Sequence, residues 1–202
     1  MTPVLTPIFE NFAKQAPMAV MMRAVIENVC GADRIDEIFE ATASRQYTRD
    51  LQFSTVADLV SCVVFDRSPS IGAAYQSNHE AIEVSRKSTY NKLNGVEPAV
   101  SEALVEQTAE GFEAIIDALG ARLPELLPGY RVRILDGNHL SASEHRIKET
   151  RTVDAAPLPG KSLVVFEPST KLVTNIVACE DGHAQERSLL GEILPLMAPG
   201  DL

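Results

Sequence analysis

The spacing of apolar residues changes once along this chain. As far as residue 120 they recur every three or four positions, which predicts helices; beyond residue 129 they alternate or run together, which predicts strands. Thr6 or Pro7 can open a first helix carrying Ile8, Phe9 and Phe12. Met18 to Val29 forms a second, with Gly31 as its stop. Asp33 can cap a third with Ile35, Ile38 and Phe39 on one face, and Phe53 to Phe65 is apolar enough to be a buried helix. Ser68, Pro69 and Ser70 restart the chain. Ile71, Ala74 and Tyr75 then face inward on a short helix that Asn78 and His79 interrupt. Ser85 can cap a further helix reading RKSTYNKL, so residues 70–93 form a candidate helix-turn-helix. Pro98 opens a long amphipathic helix with Val100, Leu104, Phe112, Ile115 and Leu119 near the helical period, and Gly120 lies just past its end.

The segment ARLPELLPG, residues 121–129, holds two prolines and a glycine and is the predicted domain boundary. Val132 to Leu135 reads as a strand that stops at Asp136. SLVVF, residues 162–166, is a continuous apolar run expected to be buried on both faces. EPSTK is turn-like, and Leu172 to Cys179 alternates as the return arm of a hairpin. A helix with Leu189, Leu190, Ile193 and Leu194 follows, and Gly200, Asp201 and Leu202 stand where another strand is expected to begin. Three strands and one helix bury too little to be stable alone unless they dock on the helical part. The fold class is therefore mixed α+β: a helical bundle over 1–129, then an incomplete α/β domain over 130–202 that is expected to be cut short.

Composition narrows the function. A length of 202 residues with 45% apolar content allows a sizeable core. A net charge of −10 argues against a generic nucleic-acid binder, though not against a local basic face on an acidic body. Cys30, Cys62 and Cys179 are scattered with no CxxC, as expected for reduced thiols in a cytoplasmic protein. No signal peptide or membrane-spanning stretch is expected.

Asp136 is the first candidate for chemistry. A carboxylate at a strand end can be held by the sheet as a ligand for a divalent cation, or it can simply form the turn before Gly137. Arg86, Lys87 and Lys92 gather on one short helix of an acidic chain, either as a solvated face or as a recognition helix on DNA. Arg146, Lys148 and Arg151 follow the first strand and can reach phosphates beside the site. Ser141 or Ser143 with a histidine lacks any strand–turn–helix nucleophile context, and His139 and His145 lack HExxH spacing.

The strings ILDGNHLSASEHRIKETR, LPGKSLVVFEPSTKLV and EDGHAQERSLL resemble the start of the catalytic domain of IS4-type DDE transposases. YTRDLQFS and SRKSTYNKL look like the N-terminal region of the same proteins, so the resemblance covers most of the chain. It implies an RNase H-like fold and a triad of two aspartates and a glutamate holding two Mg²⁺ or Mn²⁺ ions, with Asp136 in the place of the first aspartate. It also implies DNA transposition by metal-dependent phosphodiester cleavage and joining at terminal inverted repeats, by a homodimer or by mixed oligomers with a full-length transposase. The second aspartate and the glutamate are absent. Asp201 is the turn residue before the missing strand, and Glu144, Glu149, Glu167 and Glu186 are not expected to substitute. The chain alone is therefore expected to be inactive, with an unpaired strand edge beside Asp136. The alternative is a non-catalytic DNA-binding regulator that competes for transposon ends.

Overall fold

The computed structural model describes residues 7–46, 48, 50–145, 158–179 and 186–202. The fold is mixed α+β and divides into two compact units, one of residues 1–41 and 48–94, the other of residues 42–47 and 95–202.

The first unit is helical: α1 (Pro7–Gln15), α2 (Pro17–Cys30), α3 (Ala32–Thr42, of which Thr42 is already in the second unit), α4 (Phe53–Val64), α5 (Ile71–Asn78) and α6 (Arg86–Asn94). Its core joins Ile38 and Phe39 of α3 to Phe53, Val56 and Leu59 of α4, with Ala74 of α5 and Thr89 of α6. Phe39 and Phe53 stack with centroids 4.5 Å apart. Local signals set most helix ends. Ser70 Oγ accepts the Ala73 N–H at 3.1 Å, and Ser85 Oγ accepts the Ser88 N–H at 3.2 Å. The start of α4 has no side-chain cap of its own. Asp36 of α3 supplies one across the core, accepting from Ser54 N at 2.8 Å and Ser54 Oγ at 2.7 Å. Burial along α4 stops short of the expected end, because Val64 and Phe65 lie open to solvent.

The second unit is built on α7 (Pro98–Ala118) and three strands, β1 (Ile134–His145), β2 (Leu158–Glu167) and β3 (Leu172–Cys179), paired antiparallel in the order β1-β2-β3. Gly120, at φ +60°, closes α7: its N–H reaches Asp117 O and the Ala121 N–H reaches Ile116 O, a Schellman ending. α8 (Glu186–Ile193) packs Leu189 and Ile193 on Leu163, Val165 and Val177. After α8 the chain returns to the residues that lead into β1, where Asp201 pairs parallel with Arg131. Arg131 N donates to Gly200 O, Leu202 N to Arg131 O and Arg133 N to Leu202 O.

The compact units part between Asn94 and Gly95, so α7 belongs with the sheet rather than with the helices before it. The prolines of residues 121–129 predict a boundary farther along, inside the second compact unit. Leu123 N donates to Ser169 O at 2.8 Å, and Arg122 Nη1 donates to Glu167 Oε1 at 2.9 Å, which ties the segment to the β2–β3 hairpin. The docking that the small sheet needs comes from α7, which packs along β3 and accepts the Ala178 N–H on Glu102 at 3.1 Å.

Just before α7, Glu97 gathers the loop at Ser44 and Arg45. Its carboxylate accepts from Ser44 Oγ at 2.5 Å, Ser44 N at 3.0 Å and Arg45 N at 2.7 Å. The Ser44 hydroxyl and the Arg45 amide together pull its pKa down to about 2. Because the folded value lies below the unfolded one, the clamp contributes stability above the ordinary value of 4.5 and loses it as pH falls toward 2. An NMR titration of the Glu97 carboxyl is expected to show a midpoint near 2. A midpoint in the ordinary glutamate range would mean that the clamp does not form in solution.

Candidate metal and DNA-contact residues

Asp136 does not end a strand. It is the third residue of β1, directly opposite Val164 of β2, and the strand continues through Gly137 and Asn138 to His145. The aspartate–glycine–asparagine run reads as a turn locally. It stays extended because it lies against the apolar SLVVF strand, with Gly137 opposite Leu163 and Asn138 opposite Ser162.

The pleat decides which way Asp136 faces. Residues directly opposite in an antiparallel pair share a face, so Leu135, Val165, Leu163 and Val177 form one side, on which α8 covers Leu163, Val165 and Val177 and leaves Leu135 exposed. Asp136 lies on the other side with Ile134, Val164, Phe166, Val173 and Ile176. That side is open: Asp136 is exposed, as are Ile134 and Val173, while Val164, Phe166 and Ile176 are half-buried. A rigid sheet thus presents one carboxylate from a largely apolar surface.

Among the described residues, no group of three or more His, Cys, Asp or Glu side chains is placed to hold a metal ion. A lone carboxylate does not satisfy a Mg²⁺ or Mn²⁺ ion that needs six near-octahedral oxygens, so the described residues do not fit that metal pair and carry no metal-dependent step by themselves.

Asp201 is committed elsewhere. Its side chain is 4% exposed; Oδ2 accepts the Ala198 N–H at 2.9 Å and lies 3.0 Å from Arg133 Nε, an ion pair without an aligned N–H···O bond. It shapes the turn that brings the chain back toward β1. Glu167 has no exposed side-chain surface and is held by arginines. Arg131 Nε donates to it at 2.7 Å and Ser169 Oγ at 2.6 Å, and Arg122 and Arg131 also bind Glu113 of α7. Nothing local in the sequence marks this network, whose members come from α7, the proline-rich segment, the residues leading into β1 and the hairpin. A cleft of about 680 Å³ opens beside Tyr130, Arg131, Pro168 and Gly200. Asp136 is not in its walls, and the guanidinium groups of Arg122 and Arg131 there are already neutralised by carboxylates.

The basic residues of α6 separate into two kinds. Arg86 and Lys87 stand exposed in its first turn. Cations at a helix N-terminus oppose the helix dipole, so local stability does not account for them. Lys92 is different: Nζ donates to Leu51 O at 2.8 Å and sits 4.7 Å over the Phe39 ring. Burial lowers its pKa, with Asp36 and Glu40 pulling the other way. No sequence signal points to this arrangement, because Phe39 and Leu51 are far from Lys92 along the chain. Packing also holds α5 in place. Tyr75 Oη donates to Val84 O at 2.7 Å, and a side chain on Gly72 would meet Tyr90 Oη at 3.4 Å.

Arg146, Lys148, Arg151, Glu149 and His183 lie outside the described residues, as do the side chains of His139, Ser141, Ser143, Glu144, His145 and Glu186. Among the described residues no helix is long and apolar enough to cross a membrane. No protein-family model, curated protein or solved structure matches the chain.

Proposed function

We infer that the chain is the DNA-end-binding part and the opening strands of an RNase H-like domain of a DDE transposase. The observation that carries this reading is the path of the second unit. Three antiparallel strands are followed by a helix across one face and a return to the residues just before the first strand, in a single parallel bridge between Arg131 and Asp201. An RNase H-like domain begins with that order, and Asp136 on β1 matches the place of its first metal-binding aspartate. In this reading the partner carboxylates are outside the described residues, and α4, α5 and α6 form a three-helix unit whose last helix offers Arg86 and Lys87 to DNA phosphates. Lys92 holds α6 to α3 and to the start of α4 and is not among the cations offered to DNA.

The alternative, a regulator that occupies transposon ends without cutting them, draws on Asp136 standing outside any metal-holding group among the described residues. Both readings require DNA binding, so binding is tested first. Duplexes carrying the inverted repeats that flank the reading frame are titrated by fluorescence anisotropy across a salt series. Affinity is expected to exceed that for a shuffled duplex and to fall steeply with salt. Arg86→Ala with Lys87→Ala is expected to weaken it and to reduce the log–log slope by about 0.9 for each phosphate no longer neutralised. An unchanged slope would remove α6 from the interface, and no preference for the repeats would remove both readings. With binding established, the same duplexes are tested for nicking in Mn²⁺: none is expected of the chain alone on either reading, and metal-dependent cleavage abolished by Asp136→Asn would mean that the chain carries a complete site.

A further inference from the structure

We propose that α2 is a self-association surface, on which α2 of a second copy of this chain packs antiparallel. The sequence of α2, PMAVMMRAVIENVC, carries only two charges, yet most of the helix is not buried. Met18, Met21, Met22 and Ile26 are 68%, 53%, 56% and 48% exposed, and Phe12 of the adjoining α1 is 50% exposed. A helix this apolar is ordinarily covered. At 100° per residue Met18, Met21, Met22, Val25, Ile26 and Val29 fall on one arc, and Arg23 and Glu27 flank it on one side. The arc is a seam with a charged border, and Val29 at its far end is the part that packs within the chain.

Two properties favour a second copy as the occupant. The first is charge. Arg23 and Glu27 lie one turn apart, exposed and paired with each other at 2.7 Å. An antiparallel crossing at the helix midpoint sets Met21 against Ile26 of the second copy and Met22 against its Val25. It also brings each Arg23 within one turn of the other Glu27, so the border is complementary to itself under a two-fold axis. The local pair is neutral, which matters on a chain of net charge −10. The second is area. With a fully exposed side chain of this size offering on the order of 200 Å², the four exposed residues of the arc would bury about 450 Å² per copy, and flanking atoms bring that toward the lower limit for a specific interface. Methionines suit such a seam, since they adapt their shape to the same face of another copy. The self-association does not depend on the DNA reading and survives its failure.

Sedimentation equilibrium of the full chain over micromolar concentrations tests it. The wild type is expected to show a reversible monomer–dimer equilibrium, and Met22→Glu is expected to shift it to monomer with an unchanged circular dichroism spectrum. Arg23→Glu and Glu27→Arg are each expected to weaken the dimer, because each gives two like charges on both seams; mixing the two variants is expected to restore association as a heterodimer. That mixing result decides the matter even if Met22→Glu does not fold. A wild type that stays monomeric, a dimer undiminished by both Met22→Glu and the single charge variants, or a mixture no tighter than its components overturns the proposal. A monomer that instead floats with anionic or zwitterionic vesicles also overturns it, by making a lipid surface the occupant.

Discussion

Phe39→Ala is expected to destabilise the helical unit by about 3–5 kcal/mol, the range for emptying a buried aromatic site. Phe39 is 1% exposed, and the site has little means of closing over the void. Phe53 would lose a ring stacked at 4.5 Å and an interplanar angle of 15°. The Lys92 ammonium would lose the ring 4.7 Å beneath it while remaining half-buried beside Leu51 O. The loss is expected in the urea midpoint of the first unit, with the slope little changed. Phe39→Leu, which refills most of the volume without the π face, is expected to recover more than half of it. If Phe39→Leu were as damaging as Phe39→Ala, the cation–ring interaction rather than packing would dominate. The same logic separates Lys92 from Arg86 and Lys87. Lys92→Met is expected to lower stability and leave the salt slope of DNA binding unchanged, and Arg86→Ala is expected to do the reverse.

The contrast between Lys92 and its neighbours shows how far the fold is legible in the sequence. Where one residue sets its own neighbourhood, the pattern can be read: prolines 7 and 98 open helices, Ser70 and Ser85 cap them, Gly120 closes α7, and the hairpin turns at EPSTK. Where the structure is decided by a partner far along the chain, it cannot. Asp36 caps α4 across 18 residues, Glu97 gathers the loop at Ser44 from 53 away, and Lys92 reaches Leu51 across 41. The same holds for Asp136. Its local string reads as a strand end and a turn, but pairing with β2 carries the strand straight through, and only that register reveals that the carboxylate lies on the uncovered face. The proline-rich segment is ambiguous for a related reason, since prolines mark irregular backbone without saying whether it is a free linker or, as with Arg122 and Leu123, strapped to a hairpin.

Glu167 is the strongest case of such non-local wiring, and Glu167→Ala is expected to destabilise the sheet unit by about 2–4 kcal/mol. The lower part of that range applies, because the side chains of Arg122 and Arg131 are 36% exposed and water takes over part of the missing interaction. Most of the cost is the charge left behind: both guanidiniums would then share only Glu113 and Asp117. Burial raises the Glu167 pKa, and this is outweighed by hydrogen bonds from Arg131 and Ser169 and by the charges of both arginines, so the net shift is downward. A depressed folded value means that the network stabilises fully above the ordinary 4.5 and fades as pH falls through the folded pKa. Glu167→Gln keeps the shape and removes the charge, so its stability deficit against wild type is expected to be constant near neutral pH and to shrink in acid. Asp117, also held low by Arg122, fades in the same direction, so the comparison with Gln at position 167 isolates the Glu167 contribution. A deficit that stays the same from neutral pH down to the acid transition would mean that Glu167 acts by filling space, and that the arginines are satisfied without it.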